Sequence, residues 1–144
     1  MMSRRQLREQ IFKLLFRVEF NAPEDMPEQK ELFFEETESA SEQDQKYIDE
    51  KYGKIMDVLP SIDAQINEKA SGWTTERMGK VELTILRLAV AEMLFGGENK
   101  PGVAINEAVE LTKKYGADED YQFVNGLLGA VARDHGLDAE QAEQ

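Results

Sequence analysis

The sequence predicts an all-α protein of about seven helices. Apolar residues recur at helical spacing along nearly the whole chain. Sustained alternation is absent, and β-branched residues are sparse outside Val81–Val90. Proline and glycine cut the helical pattern into pieces of ordinary helix length. At 144 residues the chain fits one domain with a real hydrophobic core. We place that domain at residues 1–136, and the polar stretch 137–144 reads as a flexible tail.

Each element has a local reason. Leu7, Ile11, Leu14, Leu15 and Val18 form the stripe of a first helix, with Ser3 placed to cap it. Asn21-Ala22-Pro23 ends it, because proline cannot continue a helix. An acidic connector follows over residues 22–42, with a short helix expected around Lys30–Glu38, where Leu32, Phe33 and Phe34 offer apolar surface. A long helix is expected over Glu42–Leu59, with Tyr47, Ile48, Tyr52, Ile55, Met56 and Leu59 inward and Gly53 weakening it. Pro60-Ser61 suits the first turn of a fourth helix carrying Ile62 and Ile66, and Ser71-Gly72 breaks the chain.

The fifth helix, about 75–95, is the most apolar, so the pattern predicts the most buried one, with Thr74 or Thr75 as its cap. Gly96-Gly97 stops it. The sixth helix is read as Val103–Tyr115, ending at Gly116 in the C′ position. The seventh, about Glu119–His135, carries Phe123, Val124, Leu127, Leu128 and Val131. On it, Gly126 and Gly129 lie three apart on one face, which allows a neighbouring helix or a ligand to approach closely.

Composition excludes several kinds of chemistry. With no cysteine, the chain has no disulfide, thiolate metal site or thiol nucleophile, which fits a reducing cytoplasm. No apolar run reaches the roughly 20 residues of a membrane span, and the cationic start lacks a signal peptide's apolar stretch, so the expected location is cytoplasmic. His135, the only histidine, sits at a helix end and reads as an exposed side chain rather than a base. Phosphate-cradling loops, zinc spacings and nucleophile elbows are missing. Asp118-Glu119-Asp120 lacks calcium-loop spacing and reads instead as acids favoured by a helix N-terminus. The expectation is therefore no enzyme, no cofactor and no metal.

Charge is the informative departure. The whole chain carries a net charge of −12. Ser3–Arg17 holds five cations, Arg4, Arg5, Arg8, Lys13 and Arg17, against Glu9, whereas residues 18–50 hold twelve carboxylates against Lys30 and Lys46. An acidic protein has no general attraction for polyanions, so a cationic cluster on one helix points to a local anion site, nucleic acid foremost. Three arginines in the first two turns also oppose the helix dipole by a few tenths of a kcal/mol each, which argues that they are kept for function. Arginine adds bidentate phosphate contact and stacking. At 100° per residue, Arg4 and Arg8 lie at one edge of the apolar arc, while Arg5, Phe12 and Phe16 fall outside it, Phe16 nearly opposite. Either a second layer or a partner protein covers Phe16.

Three segments together resemble the NusB family of bacterial transcription antitermination factors. Arg4-Arg5-Gln6-Leu7-Arg8-Glu9 followed by Leu15-Phe16 is similar to the family's opening, with Phe for Tyr. Val81-Glu82-Leu83-Thr84-Ile85-Leu86-Arg87-Leu88-Ala89 followed by Glu92 resembles its central helix. Val103-Ala104-Ile105-Asn106-Glu107-Ala108 through Lys113-Lys114-Tyr115-Gly116, and Phe123-Val124-Asn125-Gly126-Leu127, are its most specific signatures.

The resemblance implies seven helices in two packed sub-bundles and a protein that is not an enzyme. It implies binding of single-stranded boxA RNA together with NusE, a small-subunit ribosomal protein, within an RNA polymerase antitermination complex acting notably on ribosomal RNA transcription. Carried over by position, it makes Arg4, Arg5, Arg8, Tyr115, Gln122 and Phe123 the RNA-binding residues and turns Phe16 and Glu82 toward NusE.

The chain departs from the family at Gln6, which interrupts the arginine run, at Gln122, where lysine is common, and at Lys100-Pro101-Gly102, where an aromatic and a lysine often stand. Fewer cations predict weaker RNA binding by the isolated chain and a shallower salt slope. Two other readings stay open. NusB-like domains also precede a ribosomal RNA cytosine methyltransferase, but no glycine-rich cofactor loop occurs here. The remaining alternative is an acidic protein-binding adaptor or homodimer whose second copy buries the arginines.

Overall fold

The computed structural model describes residues 1–96, 100–117 and 119–137. All regular structure among them is helical: α1 (Arg4–Phe16), α2 (Met26–Glu36), α3 (Glu42–Asp57), α4 (Leu59–Lys69), α5 (Lys80–Leu94), α6 (Pro101–Tyr115) and α7 (Asp120–Asp134). Two compact units divide the chain, Met1–Asp57 with α1 to α3, and the chain from Val58 onward with α4 to α7.

In the first unit α1 packs on α3. Leu7, Ile11, Leu14 and Leu15 are buried as the stripe requires, and so are Ile48, Tyr52 and Ile55 of α3. Phe12 corrects the helical wheel: it lies outside the stripe yet is only 3 % exposed. Its ring stacks on Phe16 with centroids 6.0 Å apart. After α1 a short 3-10 turn, Arg17–Glu19, is closed by the Asn21 side-chain amide donating to the Arg17 carbonyl at 2.8 Å. α2 starts four residues before the expected Lys30 because Pro27 is accepted in its first turn. Phe33 is its fully buried aromatic, while Leu32 stays exposed.

Arg17 ties the turn to α2. Its guanidinium donates to Glu36 Oε2 at 2.7 Å and to the Gln29 carbonyl at 3.2 Å, and it lies 5.4 Å from the Phe33 ring centroid. This cation of the basic segment therefore serves the fold.

In the second unit α5 and α7 each touch the other three helices. Every residue from Leu83 to Ala91 is buried, as the apolar circumference predicts. The start of α5 differs from expectation. Gly79, in extended backbone, is its N-cap, not Thr74 or Thr75. Thr75 instead donates its N–H to Asn67 Oδ1 at 2.7 Å, and residues 74–77 form a separate turn. Arg87 spans from α5 to Asp63 on α4 with two hydrogen bonds of 2.9 Å, a bidentate pair that fixes how these helices cross.

Two glycine readings change. Gly116 is extended, with φ −100° and ψ −171°, not the left-handed C′ residue expected. Its constraint is space, since a Cβ would sit 3.0 Å from the Thr112 carbonyl oxygen. The left-handed helix end occurs at Gly136 instead, with φ +67°, the Gly136 N–H bonded to the Arg133 carbonyl and the Leu137 N–H to that of Ala132. Among the described residues nothing approaches Gly126: a Cβ there meets nothing within 4 Å. The expected tail 137–144 lies outside the described residues except for Leu137, and Asp118 of the acidic triplet is likewise outside them.

Candidate nucleic-acid interface

The N-terminus of α1 is built by reciprocal capping. Ser3 Oγ accepts the Gln6 N–H at 3.1 Å, and Gln6 Oε1 accepts the Ser3 N–H at 2.8 Å. Gln6 thus has a role that the charge pattern hid: the third helical position of a capping box calls for Glu or Gln, and an arginine there could not accept. Just upstream, the Met2 N–H donates to both carboxylate oxygens of Asp44, at 3.3 and 3.2 Å. Asp44 also caps its own helix. Its Oδ2 accepts the Ser41 N–H at 3.1 Å, while its N–H donates to Ser41 Oγ at 3.1 Å. Only 1 % of Asp44 is exposed. Burial pushes its carboxyl up, but the bonds from Ser41 and Met2 and the nearby α-amino charge outweigh that and leave it below the usual carboxylate value.

On this capped end Arg4 and Arg5 are exposed, whereas Arg8 is 8 % exposed. The structure thus separates the three arginines: two are exposed, and the third lies largely beneath the surface. Lys13 is exposed, 3.8 Å from Glu9 one turn back. Farther along, Phe12, Phe16 and Phe20 form an aromatic row that runs from core to surface. Phe16 meets Phe20 edge-on at 4.9 Å, and Phe20 is 58 % exposed. Phe20 was missed by sequence reasoning, although its spacing of four from Phe16 was the available signal.

In the second unit, Tyr115, Gln122 and Phe123 fall at the corner where α6 turns into α7. Gln122 is exposed, and Tyr115 and Phe123 are half-buried. The corner is held by Asp120, whose Oδ2 accepts the Ala117 N–H at 3.2 Å. That is the helix-start role expected for an acid there. Lys113 Nζ lies 5.3 Å from the Tyr121 ring centroid, and Lys114 Nζ lies 5.4 Å from that of Tyr115. Gln122 Nε2 is 3.4 Å from the Tyr121 hydroxyl. Lys113 and Tyr121 therefore place a cation and a ring beside Gln122. The adjacent Lys113-Lys114-Tyr115 run was the signal.

Glu82 stands in the first turn of α5, with Oε1 folded back over Gly79, where a Cβ would lie 2.6 Å from it. A side chain at residue 79 would require the Glu82 carboxylate to shift. Burial pushes the Glu82 carboxyl up, and a hydrogen bond with Asp120 and that residue's charge push it further. His135 is exposed, with a ring nitrogen 2.9 Å from Gln65 Oε1. Among the described residues, no helix is long and apolar enough to cross a membrane.

These features define a class: an all-α protein with exposed arginines at one helix start and exposed lysines beside aromatic rings at a helix corner. The NusB family model matches residues 5–133, and the chain belongs to the NusB family. It is 49% identical over 131 residues to the transcription antitermination protein NusB of Agathobacter rectalis, covering 91% of this chain and 100% of that one. The solved structure of T. maritima NusB superposes with a TM-score of 0.83 at 32% identity, over 99% of each chain. A crystal structure of antitermination factors NusB and NusE in complex with double-stranded RNA superposes with a TM-score of 0.77 at 28% identity, over 91% of this chain and 96% of that one.

Proposed function

We propose that this chain is a cytoplasmic transcription antitermination factor, not an enzyme, that binds single-stranded boxA RNA together with NusE. The observation that carries the reading is the exposed Arg4–Arg5 pair on a doubly capped helix start, in a chain whose net charge is −12. A fixed cation pair holds phosphates at low ordering cost, and nearby rings accept splayed bases. In this reading Arg4, Arg5 and Arg8 of the first unit and Tyr115, Gln122 and Phe123 of the second are the RNA-side residues, with Lys113 and Tyr121 added at the corner. Phe16 and Glu82 are the NusE-side residues, and the exposed Phe20 ring extends the Phe16 surface. Residues 1–136 act as the functional domain.

The test pairs two assays. Arg5→Ala is expected to weaken binding of a short boxA-containing RNA about fivefold or more, the worth of a charge-assisted contact, while NusE pull-down stays near that of the parent. Equal loss in both assays, or in neither, contradicts this division. A duplex of the same sequence, run alongside, tests the preference for single strands.

A further inference from the structure

We propose that Asp44 is the positioning residue for the RNA-contacting end of α1: its buried carboxylate grips the Met2 N–H and so fixes the exposed Arg4–Arg5 pair. This rests on the reading of those arginines as RNA contacts. Helix starts fray unless tied down, and a frayed start would carry both cations on a loose tether. Asp44 supplies the tie from 42 residues away, with both oxygens within 3.3 Å of the Met2 nitrogen.

The local need of α3 does not require this arrangement. Closing the Ser41 box takes one carboxylate oxygen, Oδ2, and in such a box Glu or Gln is the usual residue. Asp44 is the shorter acid, buried, and both of its oxygens face Met2, Oδ1 at 3.3 Å and Oδ2 at 3.2 Å. One carboxylate thus serves two helix starts, and its negative charge suits both dipoles, including the one that the α1 arginines oppose. Holding the pair before RNA arrives removes an ordering cost from binding. Asp44 touches no RNA in this scheme. It acts through Met2.

Four measurements separate positioning from mere stability. In the unaltered protein the Met2 amide is expected to be protected from hydrogen exchange. Exchange there at the rate of a free chain end overturns the proposal without any variant. Asp44→Asn is expected to weaken single-stranded RNA binding about threefold to tenfold, the net worth of an ordinary hydrogen bond, with NusE binding retained and exchange accelerated at Met2 through Gln6. Ser41→Ala removes the hydroxyl half of the α3 cap but leaves Asp44 facing Met2. It is expected to lower the unfolding temperature with RNA affinity within about twofold of the parent. If Ser41→Ala loses as much RNA affinity as Asp44→Asn, the role is structural and the proposal falls. Arg5→Ala in the same titration tells the two readings apart. If it weakens binding while Asp44→Asn does not, positioning alone is wrong. If it has no effect, the RNA reading fails and positioning falls with it.

Discussion

Gln6 and Glu82 show how a single side chain is set by more than its charge. Among arginines Gln6 looks like a lost cation, but its Oε1 closes the α1 capping box. Glu82 is the opposite case: its charge is disfavoured where it sits. Because the folded protein raises the Glu82 pKa, the native state holds that proton more tightly than the unfolded chain. The linked stability is present below the ordinary glutamate range and is lost as pH rises through the raised value. Glu82→Gln is therefore expected to gain stability relative to the parent as pH rises from about 4 to 7. Thermal unfolding at several pH values checks this, and a constant difference contradicts it. Asp44 has the reverse sign, its stabilisation being present at neutral pH and lost as pH falls through its lowered value. A carboxylate retained at a stability disadvantage on a surface fits a role in docking a partner, the role proposed for Glu82.

At the scale of elements, α7 carries a glycine that packing does not explain. Gly126 is exposed in the helix interior, and a Cβ would meet open space. Gly126→Ala is accordingly expected to stabilise the protein by about 0.5–1 kcal/mol, since alanine loses less backbone entropy on folding. Denaturant titration reads the change, and destabilisation means that something holds this face already. The helix starts divide by legibility. Ser3 and Pro60 could be placed from sequence because capping and proline rules are local. The start of α5 could not, because Thr74 and Thr75 compete with Gly79 on equal local terms. The Thr75 N–H goes to Asn67, and the Glu82 carboxylate fills the space above Gly79.

For the molecule as a whole, the chain is strongly acidic yet is proposed to bind a polyanion. Arg17 is committed to Glu36, and Arg8 is largely covered, so within the basic segment Arg4, Arg5 and Lys13 are the exposed cations. With Arg4 and Arg5 as the main contacts, the slope of log affinity against log salt is expected to be about −1.4 for the isolated chain, at about 0.7 per phosphate on a single strand. An RNA titration between 50 and 200 mM salt measures it. A slope steeper than about −3 requires further cations, with Lys113 and Lys114 the first to test. Adding NusE raises affinity in this scheme through surface that the partner supplies.

The sequence by itself determined the all-α class, the number and order of the helices, the buried stripes and the family, because periodicity, capping and motif spacing are properties of neighbouring residues. It also showed that α1 carries two kinds of surface, arginine and aromatic. Tertiary structure decided which members of each set are exposed. Diversion of Arg17 to Glu36 and the grip of Asp44 on Met2 across 42 residues depend on side chains distant in sequence. No local rule reaches that far: pairing and burial are settled only when the helices pack.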